Sequence, residues 1–95
     1  MGALWIAHVD VTDEEKYAEY IKVASVVIPE HGGHFIARGG RFIQFEGNER
    51  RRNVVARITT VDAPHAAYNH PRYLDAVEIA KIASPREVMV VETTE

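Results

Sequence analysis

The sequence predicts an α+β domain in the order β-α-β-β-α-β, a four-stranded antiparallel sheet with both helices on one side. Two observations carry this. First, the strand-like segments are apolar on both faces: Leu4 and Ile6 alternate with Trp5, Ala7 and Val9. Phe35-Ile36-Ala37, Phe42-Ile43, Val54-Val55-Ala56 and Val88-Met89-Val90-Val91 repeat the pattern. Successive strand side chains point to opposite faces, so such runs mark a sheet buried twice over. Second, only two stretches have the spacing of amphipathic helices, enough to cover one face. A second copy of the same chain is the expected cover for the other.

The first strand is expected over about Leu4 to Val11. Thr12 and Glu15 then have capping-box spacing, and Asp13, Glu14 and Glu15 suit the positive end of a helix. Tyr17, Tyr20, Ile21, Ala24, Val27 and Ile28 recur at helical spacing and form one apolar stripe. Pro29 is expected to kink or end this helix, and Gly32-Gly33 offers its stop. The second strand starts near His34 and is broken by Gly39-Gly40, which suggests a bulge or bend. Pairing is expected to resume from Arg41 to Glu46, with Gly47-Asn48-Glu49-Arg50 as a hairpin connection. Asn53 to Thr59 reads as the third strand.

Asp62 is placed to cap the next helix, with Pro64 in its first turn. His70-Pro71 interrupts it, because a residue before proline avoids helical geometry. A short piece, Ala63 to Asn69, is thus expected before a longer one, Pro71 to Ala83, whose apolar face carries Leu74, Val77, Ile79, Ala80 and Ile82. Ser84-Pro85 ends that helix, and Glu87 to Thr93 is the last strand.

Composition narrows the function classes. A chain of 95 residues (1–95) is one domain, 46% hydrophobic and 26% charged, as expected of a folded globular protein. Its net charge of -3 argues against nucleic-acid binding. The one basic run, Arg50-Arg51-Arg52, is flanked by Glu46 and Glu49 and reads as a solvated turn. There is no cysteine, which removes disulfides, thiolate metal sites and a cysteine nucleophile. The first residues lack a basic leader and run directly into strand pattern, and no apolar stretch approaches the roughly 20 residues that span a bilayer. A cytoplasmic protein with no membrane partner is expected.

With the elements placed, several motifs stand out: Val11-Thr12-Asp13, His31-Gly32-Gly33, Ala37-Arg38-Gly39-Gly40, Glu46-Gly47 and Tyr68-Asn69-His70-Pro71-Arg72-Tyr73. Together they resemble the bacterial domain-of-unknown-function 1330 family, within the ferredoxin-like dimeric α+β barrel superfamily, over nearly the whole chain. The resemblance implies two chains packed sheet to sheet, and a pocket between sheet and helices that superfamily relatives use for small organic molecules. Those relatives include cofactor-free monooxygenases, isomerases and haem-binding enzymes, so the fold does not select a chemistry. The sequence departs from the family pattern at Ala80, where an arginine is common, at Ala67, at His70 and at Arg57. If the missing arginine binds an anion in relatives, this chain is left with Arg57 or Arg38 for that task.

The candidate chemistry follows. His8 lies mid-strand on the face it shares with Ile6, as a general base or as an inert, hydrogen-bonded imidazole at the sheet edge or dimer seam. Arg38-Gly39 offers a guanidinium at a pocket mouth, or a bulge that bends the second strand. Tyr68, Asn69, His70 and Tyr73 surround a helix break where phenol and imidazole groups can meet a ligand; His70 is the second candidate base. Read structurally, the same tyrosines plug the core and Asn69-His70 is a capping turn.

His31 with His34, and His65 with His70, lack the spacing of metal ligands on one helical face, and no metal or cofactor is expected. No Ser-His-Asp order, nucleophile elbow or phosphate loop is present. The expected function is a homodimer binding a small organic molecule, either as a cofactor-independent enzyme or, alternatively, as a non-catalytic structural or regulatory module.

Overall fold

The computed structural model describes residues 2–30, 32–61, 69 and 71–95. Its elements are β1 (Ala3–Val9), α1 (Glu14–Glu30), β2 (His34–Arg38), β3 (Arg52–Ile58), α2 (Pro71–Ala83) and β4 (Arg86–Glu92). The sheet order is β2-β3-β1-β4, with every neighbouring pair antiparallel. This is the ferredoxin-like arrangement that the order of elements predicts. The short helical piece expected at 63–69 falls outside the described residues, Asn69 apart.

Alternation divides the sheet cleanly. Ala3, Trp5, Ala7 and Val9 pair in register with Ile58, Ala56, Val54 and Arg52 on one side and with Glu92, Val90, Val88 and Arg86 on the other. This face meets the helices. Tyr17, Tyr20, Ala24, Val27 and Ile28 of α1, with Tyr73, Ala76, Val77 and Ala80 of α2, complete one buried cluster with it. The opposite face carries Leu4, Ile6, His8, Asn53, Val55, Arg57, Glu87, Met89 and Val91, and among the described residues neither helix packs on it. The molecule is accordingly a slab, 36 × 35 × 17 Å.

Several local expectations are revised. Asp13, not Thr12, caps α1: its Oδ1 accepts the Lys16 amide at 3.1 Å, and its carbonyl accepts the Tyr17 amide at 3.0 Å. A carboxylate at the positive helix end is the stronger acceptor. Pro29 does not end α1 but sits in its last turn. The helix closes when the Gly32 amide bonds to the Pro29 carbonyl and the Gly33 amide to the Ile28 carbonyl. Gly33 is obligatory there, because a Cβ would stand 2.9 Å from the Ile28 carbonyl oxygen.

The segment Arg41 to Glu46 forms no strand. Residues 39–51 instead make an irregular arm, with Ile43 65% and Phe45 90% exposed. Their alternation is strand-like, but no strand of the protomer pairs with them. The arm is anchored at its base. Arg50 donates to Asp10 at 2.9 Å and to Glu87 at 2.8 Å, and the Arg51 amide donates to Asp10 at 3.0 Å. Arg50 thus ties the arm to Asp10 and to β4 rather than lying in a solvated turn.

Candidate functional site

Between α1 and the helix-facing side of the sheet lies a cleft with about 320 Å³ of empty space, its open mouth included. Its floor is apolar, formed by Trp5, Ala7, Val9 and Val54, and its wall by Tyr17, Tyr20, Ile21, Ala24 and Ile28. Phe35, Arg38, Arg52 and Arg86 complete it. Only about 20 Å³ admits the centre of a water-sized sphere, so the side chains close tightly in this state. A wider depression lined by Val11, Glu14, Ala18 and Lys22 adjoins it and shares Tyr17, Ile21 and Arg52.

The strand register brings the arginines together. Arg52 and Arg86 are the two pairing partners of Val9, and Arg38 pairs with Val54, so all three sit on the helix-facing side near one end of the sheet. Each guanidinium lies against an aromatic ring: Arg38 4.3 Å from the Phe35 centroid, Arg52 5.7 Å from Tyr17, and Arg86 4.7 Å from Tyr20. Arg38 also donates to Ser25 Oγ at 2.5 Å. Gly39 follows with φ of 72°, and its amide bonds to the Asn53 carbonyl at 3.0 Å. A Cβ there would stand 2.4 Å from Arg52 Nη1, so the absence of a side chain seats that guanidinium.

From the wall inward, Tyr17, Tyr20 and Tyr73 form a tilted ladder with centroids 5.7 and 5.9 Å apart. Tyr20 and Tyr73 share a buried hydroxyl–hydroxyl hydrogen bond of 2.9 Å. Tyr73 is 0% exposed and plugs the core; it does not line the cleft.

The remaining candidates are dispersed. His8 lies on the opposite sheet face, where it shares a 2.6 Å hydrogen bond with Asn53 Oδ1. The Asn53 amide nitrogen donates to the Arg50 carbonyl at 3.4 Å, which orients the amide so that His8 Nδ1 is the donor. His8 borders a polar hollow with Gln44, Asn48, Arg50 and Glu87, and the sheet separates it from the cleft. Arg57 is on that same outer face, bonded to Glu95 at 3.3 Å. Asn69 is exposed, and Tyr68 and His70 lie outside the described residues. The described lining of the cleft contains neither a histidine nor a carboxylate. Among the described residues no group of three or more His, Cys, Asp and Glu is placed to hold a metal ion.

Arg52 and Arg86 were not singled out from the sequence. Arg52 is hidden inside the run Arg50-Arg51-Arg52, which looks like one solvated turn. The usable signal is parity: Arg52 is in step with Val54, Ala56 and Ile58, and Arg86 with Val88 and Val90, so both fall on the helix-facing side.

The sheet order and its single-sided helix layer define an α+β protein with the ferredoxin-like fold. The chain belongs to the family described as domain of unknown function (DUF1330), which matches residues 2–94. Solved structures agree with the fold at low sequence identity. A protein of unknown function from Rhodopseudomonas palustris superposes with a TM-score of 0.81 at 16% identity, covering 99% of this chain and 83% of that one. A dimeric ferredoxin-like protein of unknown function from Jannaschia sp. CCS1 gives 0.78 at 14% identity, covering 98% and 100%. SnoaB, a cofactor-independent oxygenase from Streptomyces nogalater, gives 0.68 at 13% identity, covering 99% and 94%. No curated protein matches the sequence. No described helix is long and apolar enough to cross a membrane.

Proposed function

We propose that the protein is a homodimer, joined through its outer sheet face, that binds a small organic molecule in the cleft between α1 and the sheet of each protomer. The observation that carries the binding role is the cleft itself: an apolar floor beside aromatic rings, with a few polar groups confined to one end. That is the usual chemistry of a small-molecule site, and a ligand entering it displaces the side chains that close it in this state.

Dimerisation is supported by the uncovered apolar row Leu4, Ile6, Val55, Met89 and Val91, and by structural relatives that are themselves dimeric. In such a pair, Ile43 and Phe45 of each arm gain a surface to cover them. Among those relatives, SnoaB is an oxygenase that works without a cofactor, a precedent for catalysis by substrate orientation in this fold. The lining includes the Tyr17 phenol as a hydrogen-bonding group, while the Tyr20 hydroxyl is bonded to Tyr73.

A second reading, a dimeric module without a ligand, draws on how little of the cleft is clear of side chains. Fragment binding followed by amide and methyl shifts of the labelled protein separates the two. Under the binding reading, shifts cluster at Ala7, Ile21, Ala24 and Val54. If no fragment of any charge perturbs these residues, the second reading holds.

A further inference from the structure

We propose that the cleft is built for a small organic anion, a carboxylate on an apolar or single-ring body, with Arg52 and Arg38 receiving the charge. The inference rests on the small-molecule reading above and adds the ligand's charge to it. Three guanidinium groups gather at one end of a cleft whose described lining holds no carboxylate. Like charges brought together on a low-dielectric floor repel, and an opposite charge between them relieves that repulsion. Glu14 borders the adjoining depression, yet the ion pairs found among the described residues do not include one to Arg52.

Two details place the anion. Arg52 Nε is buried and has no hydrogen-bond partner. A desolvated guanidinium N–H without an acceptor is unfavourable, and a ligand oxygen would satisfy it. Among the described residues the hydrogen bond of Arg38 goes to the neutral Ser25 hydroxyl, and no ion pair to Arg38 is found there.

The arginines are also held in place before any ligand arrives. The Phe35 and Tyr17 rings lie against the Arg38 and Arg52 guanidinium groups, with the centroids 4.3 and 5.7 Å from Cζ, and limit their freedom. Gly39 makes room for Arg52. A planar carboxylate matches the forked donors of a guanidinium. The apolar floor of Trp5, Ala7, Val9 and Val54 gives the rest of an organic acid a place that a bare inorganic anion would not use.

The test is calorimetric titration of the full chain, at low salt, with matched acids and amides: benzoate and benzamide, phenylacetate and phenylacetamide, hexanoate and hexanamide. Inorganic phosphate serves as a charge without an apolar body. The account expects at least one acid to bind tenfold or more tighter than its amide, about one charge-assisted contact's worth. Phosphate should bind more weakly than that acid. Arg52→Gln and Arg38→Gln should each erase the acid preference while amide binding stays, and Lys81→Gln should change nothing.

Acids and amides binding alike would overturn the anion assignment and leave the cleft as a small-molecule site. No binding of any acid would overturn it too, and the fragment shifts described above then judge the broader reading separately. An acid preference that survives both arginine substitutions overturns the assignment of these residues. Should Arg52→Gln fail to fold, Arg38→Gln and the wild-type acid-to-amide ratio still decide.

Discussion

Two phenols from separate helices, Tyr20 and Tyr73, meet at 2.9 Å where solvent does not reach. The helical spacing of Tyr17 and Tyr20 places both on one apolar stripe, which agrees with their burial in the core. The partnership of the hydroxyls was invisible, because a hydrogen bond between α1 and α2 depends on how two helices settle on one sheet. Tyr73→Phe should cost about 1 kcal/mol, the usual net worth of such a bond, and leave the cleft's ligand preference unchanged. Urea unfolding measures the cost; a variant as stable as the parent would show that the bond contributes nothing net.

The same limit applies to Arg52. Its identity and parity were on the page, but its unsatisfied Nε depends on the closing of the cleft. The outward placement of His8 and Arg57, by contrast, follows from alternation alone.

At the level of elements, the strands and both long helices were legible to within one or two residues at most ends. Each combines a clear period with its own punctuation: Asp13 before α1, Pro71 opening α2, and Ser84 closing it through its Oγ bond to the Ala80 carbonyl at 2.5 Å. The arm was misread because Phe42, Ile43 and Phe45 have strand composition without a neighbouring strand to pair with. What holds the arm is electrostatic. The backbone hydrogen bond from Arg51, followed by the one from the Arg50 side chain, keeps the Asp10 carboxyl below the usual aspartate range.

A carboxyl depressed in the folded state favours folding fully above its unfolded value, about pH 4, and loses that contribution as pH falls through the lower folded value. The arm should therefore stay docked at neutral pH and loosen only in acid. The Arg51 amide shift should titrate below about pH 4, and Asp10→Asn should produce the loosened arm at pH 7. Titration of that amide near neutral pH would contradict the assignment to Asp10.

The whole molecule is one helix layer on one sheet layer, 17 Å through its thinnest dimension. A two-layer domain needs only one apolar sheet face, and this sheet has two. That surplus is legible in Leu4-Trp5-Ile6 and Val54-Val55-Ala56, since adjacent strand residues cannot share a face. What covers the outer face could not be read residue by residue, because self-association is written in no motif. Met89, 52% exposed at the middle of the edge strand β4 on that face, is the position where a charge should do most harm to a pair and least to a protomer. Met89→Glu should leave the fold and Tyr20–Tyr73 packing in place while separating the copies.

Sedimentation equilibrium at micromolar concentration tests this most directly. The account predicts a mass of twice the 10.7 kDa chain for the parent protein, and a single chain's mass for folded Met89→Glu. A stable parent species of 10.7 kDa would contradict it.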